Sequence, residues 1–212
     1  MRLNLGSGPR AVPGWVNVDR SPNLVLDRTP AIKRALHRLG VLHDAHLTSW
    51  SRAIVRHDIR RRLPYPDGSA DAIYSSHTLE HLYLAEARRV LAECARLLRP
   101  GGLLRLALPD AERLARDFLA AAESGDPDAG FVFNQRLLTH PEDRPRGVRH
   151  LMRLASGGIH RWQPAPSMVE RLLADAGFTG TRRHRYREGE LPDLMSVETN
   201  PDSFFVEATR PG

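Results

Sequence analysis

Near the start of the chain a short apolar run passes directly into a glycine turn, Leu3-Asn4-Leu5-Gly6-Ser7-Gly8. Glycines there let the backbone turn sharply and approach a ligand closely. Only residues 6–14, with Pro9, Pro13 and Gly14 among them, separate this run from the next, whose segment Val16–Asp19 closes on a carboxylate. A helical crossover between parallel strands takes about ten to twelve residues or more, so at most one helical turn fits. This disfavours NAD and FAD: a pyrophosphate needs a full helix N-terminus, and the third glycine of the dinucleotide fingerprint is missing. Asp19, at the end of the second run, suits hydrogen bonds from both hydroxyls of a ribose. Together the glycine turn and the carboxylate indicate a nucleoside-containing ligand of another kind.

The remaining pattern alternates short runs rich in Val, Ile and Leu with segments of helical period, which predicts a mainly parallel sheet covered by helices. Expected strands are Arg2–Leu5, Val16–Asp19, Ala53–His57, Ala70–Ser75 and Leu103–Leu108, then Thr181–Tyr186 and a final Ser203–Thr209. A helix is expected after Thr29 as cap and Pro30 at its first position, with Ile32, Leu36 and Leu39 on the buried face and Gly40 at its end. A second is expected over Leu84–Leu98, stopped by Arg99-Pro100-Gly101-Gly102, with Cys94 as a small core residue. A third begins near Asp110. The last opens on the capping-box pattern Ser167-Met168-Val169-Glu170 and closes at Gly177.

At 212 residues, 41% hydrophobic and 26% charged, the composition is that of one α/β domain over 1–212, with the Gly-, Pro-, His- and Arg-rich stretch 124–165 as a substrate-covering insertion. The apolar runs are a few residues long and Met1-Arg2 leads straight into Leu3, so the expectation is a cytoplasmic chain with neither signal peptide nor membrane contact. Cys94 is the single cysteine, which rules out an internal disulfide and a thiolate metal cluster. The formal charge is +6, yet 30 of the 31 basic residues are Arg and only Lys33 is Lys. That skew is the mark of a GC-rich coding sequence rather than of selection for a polyanion, and it leaves Arg60-Arg61-Arg62 and Arg182–Arg187 as the two places for a real basic patch.

Leu3–Gly8, Pro13–Asp19, His57-Asp58-Ile59, Asp71–Leu82 and Leu97–Gly102, in this order, resemble class I S-adenosylmethionine-dependent methyltransferases of the methyltransferase-11 type; the similarity covers roughly residues 1–110 and the Ala176–Phe178 region. The resemblance implies a Rossmann-like fold with a mainly parallel sheet, helices on both faces and an antiparallel C-terminal strand. It implies S-adenosyl-L-methionine as cofactor, its methionine part against Gly6, Ser7 and Gly8 and its ribose on Asp19. Asp58 would accept from the adenine amino group, Ile59 would lie beside the ring, and Ser75 and Ser76 would line the methionine end. Asn4 stands where an acidic residue often precedes the glycine loop.

His77-Thr78-Leu79-Glu80-His81 has the spacing of an inverted zincin motif, but it follows a strand and opens a loop rather than lying within a long helix, so a metalloprotease is rejected. Three readings remain. Ubiquinone-type O-methyltransferases are similar at Leu79-Glu80-His81, which implies a divalent cation over His77, Glu80 and His81. Alternatively His77 alone is a general base, or Glu80 and His81 simply tie the loop by hydrogen bonds. His77 is the first candidate for the base and His160 the second, ahead of His140 and His150; no residue is assigned as a metal ligand. The resulting expectation is a bacterial methyltransferase acting on a hydroxyl or amine of a small molecule, a saccharide or secondary metabolite. An RNA methyltransferase and an S-adenosylmethionine-binding protein without turnover are the alternatives. With no helices before the glycine loop, the 124–165 segment, hinged at Gly157-Gly158 and carrying His160, Arg161 and Trp162, is the expected cover of the site.

Overall fold

In the computed structural model, which describes residues 1–42, 44–137 and 159–212, the apolar runs become strands of one sheet. The strands are β1 (Arg2–Leu5), β2 (Val16–Asp19), β3 (Val55–Arg56), β4 (Ala70–Ser76), β5 (Leu98–Leu108), β6 (Thr179–His184) and β7 (Phe204–Thr209). Their order across the sheet is β3-β2-β1-β4-β5-β7-β6. The first five run parallel, while β7 lies antiparallel to both β5 and β6. This is the class I methyltransferase fold, with the antiparallel C-terminal strand in place. The order reverses between β1 and β4, and ligands of open parallel sheets bind outside the strand C-termini at such a switch point.

Side-chain alternation divides the core between the two faces of the sheet. Leu3, Leu5, Ile73, Leu104, Leu106 and Val206 pack with the helix Leu84–Leu97 and the helix Pro166–Asp175. On the other face Ala72, Tyr74 and Phe205 meet Trp15, Leu191, Leu194 and Val197. The period-3.6 stripe of the helix Leu84–Leu97 buries Ala87, Val90, Leu91, Cys94 and Leu97. Its last residue feeds β5 with no intervening loop, so Arg99–Gly102 lies in that strand.

Several local expectations need correction. In the helix Pro30–Arg38, Ile32 is exposed, as is Leu39 just beyond its end, and the buried residue is Lys33. The ammonium of Lys33 donates to Asp27 and to the carbonyls of Leu47 and Thr48, so a charged anchor replaces the apolar face read from periodicity. Thr29 makes no cap; its hydroxyl turns back to the carbonyls of Val25 and Leu26, at the end of a helix, Pro22–Asp27, that the pattern did not show. The helix expected from Ser167 starts at Pro166, and Ser167 Oγ donates to Glu112 rather than closing a capping box.

Candidate active site

β1 and β2 are joined, as their spacing requires, by a loop without helix, and polar side chains hold it. The amides of Gly6 and Ser7 donate to Val18 O at 2.8 and 3.2 Å. Asp19 takes the Gly8 amide on Oδ2 at 3.0 Å and the Ser21 amide on Oδ1 at 2.7 Å. Gly6 has φ +72°, and a Cβ there would overlap the Thr78 side chain, so the loop and the turn after β4 pack too closely for any other residue. Asn17 completes the loop by bonding Val12 N, Val12 O and Trp15 O. Asn4 is buried and donates to Asn17 Oδ1 at 3.0 Å, so it braces the loop from behind.

A cavity of about 340 Å³ opens at the C-terminal ends of β1, β2 and β4, lined by Gly6, Gly8 and Asp19 on one side and by Ile59, His77 and Tyr83 among others on another. Gly6, Gly8, Asp19 and Ile59 are thus brought together on one cavity. Other candidates lie off this cavity. Ser75 is buried with its hydroxyl on Leu5 O, Ser7 Oγ points at Gly8 O, and Ser76 O accepts from the Thr78 hydroxyl. Asp58 is gripped by Arg60, Nε to Oδ1 at 2.9 Å and Nη2 to Oδ2 at 2.6 Å, with Arg20 at 3.4 Å. That guanidinium holds the Asp58 carboxyl at a pKa of about 2. It is Arg60, marked in the sequence only as part of a basic run, that lines the cavity beside Ile59.

His77 follows β4 with φ +44°, a left-handed conformation that is unusual for histidine. The strain is held by its amide, which donates to Ala107 O at 2.9 Å. Nε2 lies 2.7 Å from Ser203 Oγ and 3.1 Å from the Asn200 side-chain amide, and Nδ1 lies 3.3 Å from Glu80 Oε1. With the amide nitrogen so assigned, Nε2 accepts and the ring proton sits on Nδ1. A second cavity of about 580 Å³ lies on the other side of this ring, lined by His77, His160, Asp110, Gln163, Asn200 and Asp202 among others. His77 borders both cavities. Ser203 and Asn200, which complete its surroundings, stand 126 and 123 residues away and carry no motif.

His160 and Glu80 are buried beside it. Burial lowers the His160 pKa, against the opposing pull of the Glu80 carboxylate. Ligand atoms of Glu80, His81 and His160 lie within 4.8 Å of one another, a set that could hold a cation. Trp162, expected in a cover over the acceptor, instead donates its indole N–H to Leu79 O at 3.1 Å and packs on the core, tying the chain to the Leu79–His81 turn. Arg161 lies over the Tyr83 ring at the first cavity, its guanidinium 4.2 Å from the ring centre. Helix Ala129–Leu137 occupies part of the 124–165 stretch; Gly157-Gly158, His140 and His150 lie outside the described residues.

Residues 14–106 match a family described as a methyltransferase domain. A protein of Mycolicibacterium smegmatis, described as a probable S-adenosylmethionine-dependent methyltransferase, is 34% identical over 67 residues, 31% of this chain and 25% of that protein. The chain therefore spans about a quarter of the length of that curated relative. Among solved structures, an S-adenosylmethionine-dependent methyltransferase of Archaeoglobus fulgidus superposes with a TM-score of 0.51 at 13% identity, covering 98% of this chain and 85% of its own. One of Thermotoga maritima does so with 0.50 at 18%, covering 99% and 81%. At these identities the two structures speak to the fold. Residues 14–106 thus carry the methyltransferase-domain signature within a chain whose fold is that of the class I S-adenosylmethionine-dependent methyltransferases.

Proposed function

We propose that this chain, with 1–212 working as one domain, is an S-adenosylmethionine-dependent methyltransferase that methylates a hydroxyl or amine of a small molecule, of saccharide or secondary-metabolite type. The observation that carries this reading is the position of His77, a histidine with left-handed backbone whose ring is shared by two cavities. Bound S-adenosylmethionine would supply an electrophilic methyl on sulfur. The first cavity fits it: the backbone at Gly8 is open for close approach, and Asp19 keeps lone pairs free for ribose hydroxyls after accepting two amides. Ile59 offers an apolar edge for the adenine, and Asp58 acts there through Arg60.

The second cavity suits the acceptor, since its carboxylates, amides and imidazoles can bond a hydroxyl-rich molecule while Pro109, Ala111 and Leu114 supply apolar wall. Transfer from a sulfonium is an in-line displacement, so alignment is the main requirement. Where the acceptor is a hydroxyl, a proton must also leave, and His77 Nε2 has the lone pair to take it once the acceptor displaces both Ser203 Oγ and the Asn200 amide. Glu80 next to Nδ1 favours that tautomer and stabilises the imidazolium that forms. His160, held neutral by burial in the same wall, is the second candidate base.

Among the described residues no helix is long and apolar enough to cross a membrane, and the lone cysteine asks for no oxidising compartment; we assign the chain to the bacterial cytoplasm. Calorimetry with S-adenosylhomocysteine, followed by turnover on a panel of sugars and hydroxylated aromatics with the radiolabelled donor, tests the reading. Binding with transfer to at least one panel member is expected. Absence of S-adenosylhomocysteine binding would refute it, and binding without transfer to any acceptor would favour a non-catalytic binding protein.

A further inference from the structure

The Glu80 carboxylate is wholly buried, and neither of its oxygens completes a hydrogen bond among the described residues, although His77 Nδ1 faces Oε1 at 3.3 Å. An ionised carboxylate in that position costs several kcal/mol unless positive charge compensates it. Three imidazole nitrogens converge on Oε1: His77 Nδ1 at 3.3 Å, His81 Nε2 at 4.0 Å and His160 Nε2 at 4.0 Å. Their hydrogen-bond partners sort them. His81 Nδ1 lies 3.0 Å from Ile159 O, a carbonyl that can only accept, so Nδ1 carries the proton and the lone pair of Nε2 faces Glu80. His160 is buried, its Nδ1 has no partner among the described residues, and its ring stands edge-on to His81 with centroids 5.0 Å apart. His77 differs: its Nε2 is engaged by Ser203 and Asn200, and its proton lies on the Nδ1 that faces Glu80. Acceptor atoms of Glu80 and His81 therefore face one another with no donor between them, and His160 closes the third side.

We infer that Glu80, His81 and His160 form a divalent cation site from which His77 is excluded. The ligands come from two segments, the turn after β4 and the chain leading into the helix Pro166–Asp175, which Arg161 N joins by donating to Glu80 O at 2.7 Å. The His81 bond to Ile159 O is the outer support that commonly fixes the tautomer of a ligating imidazole. Two imidazoles and one carboxylate select a borderline transition ion such as Zn²⁺ or Fe²⁺ over Mg²⁺ or Ca²⁺, which favour oxygen, and Mn²⁺ serves as a spectroscopic probe of the same site. His81 lines the first cavity and His160 the second, so the ion would lie in the wall dividing them. Glu80 has lone pairs enough to bind it while still facing the Nδ1 proton of His77. The site stands on these atoms and does not need methyl transfer to occur.

The test uses chelator-stripped full-length protein and Mn²⁺ or Zn²⁺ alone, read by equilibrium dialysis, by Mn²⁺ electron paramagnetic resonance and by thermal melting. About one ion per chain and a raised Tm are expected. Glu80→Gln, close to isosteric, and His160→Ala should each lose about tenfold or more in affinity, while His77→Gln stays within about threefold, since removal of even outer supports costs 10–100-fold. Melting of each variant without metal separates lost ligation from lost folding, and His81→Asn serves in place of one that fails to fold. No uptake by the wild type, wild-type affinity in His160→Ala, or a loss in His77→Gln equal to that in Glu80→Gln overturns the assignment. Calorimetry with S-adenosylhomocysteine on the same samples keeps the two readings apart: cofactor binding without metal uptake rejects the cation site alone, and metal uptake without cofactor binding rejects the methyltransferase reading alone.

Discussion

Asp19 shows how one carboxylate can have two roles: it closes the glycine loop through two backbone amides and presents its remaining lone pairs to the cavity. Asp19→Ala is expected to weaken S-adenosylhomocysteine binding by about 2–4 kcal/mol, from the loss of charge-assisted bonds with some replacement by water; calorimetry measures it. Gly6→Ala should be at least as harmful, because the added methyl meets Thr78 and the positive φ disfavours any side chain. Asp58 makes a prediction about pH. Its folded pKa of about 2 lies below the ordinary aspartate value of 3.8, so its stabilisation is present at neutral pH and is lost as pH falls through that interval. Asp58→Asn should therefore flatten the acid limb of a stability-versus-pH curve by about 1–2 kcal/mol, read by urea unfolding between about pH 5 and about pH 2.

The elements around the site are held by buried charge as well as by apolar packing. Arg105 on β5 is fully buried, faces Glu207 across the β5–β7 ladder, and binds Glu198 through Nε and the carbonyls of Arg185 and Glu188 through its terminal nitrogens. The link ties the segment after β6 to the sheet centre. Removing one partner of a buried pair leaves an uncompensated charge, so Arg105→Ala should cost about 3–5 kcal/mol in urea unfolding, with the 185–198 segment becoming the first site of proteolysis. Lys33 acts similarly on a smaller scale, joining the helix Pro30–Arg38 to Asp27 and to the backbone near Trp50. Periodicity shows such helices but misassigns their inner face when a cation is the anchor.

For the molecule as a whole, the count of 31 basic residues overstates the free positive surface, because many of them are paired with carboxylates. Arg60 is committed to Asp58 and Glu86, Arg62 to Asp67, and Arg183 to Glu170 and Glu112. RNA binding at physiological salt is expected to be no tighter than about 10 µM, with a slope against salt set by a few phosphates. Fluorescence anisotropy with a short RNA checks this; submicromolar binding lost in an Arg60/Arg61/Arg62 triple alanine variant would turn the argument toward an RNA acceptor.

What the sequence by itself determined is the local part: strands where β-branched and leucine runs sit between turn residues, a helix-free first crossover because residues 6–14, broken by Pro9 and Pro13, are too few for a helical crossover, and a glycine turn and carboxylate side by side because both end neighbouring strands. Those features suffice for most strands of the sheet and for one side of the first cavity. Only the tertiary structure decided the rest. Asn4 turned out to be a brace, and Asp58 a partner of Arg60, because a side chain's direction depends on which charges the fold brings beside it. The meeting of His77 with Asn200 and Ser203, and of Glu80 and His81 with His160, spans roughly 80 to 126 residues of chain. No periodicity records such a separation; it follows from the order of strands, which sets β7 beside β5 and returns the distant segments to the end of β4.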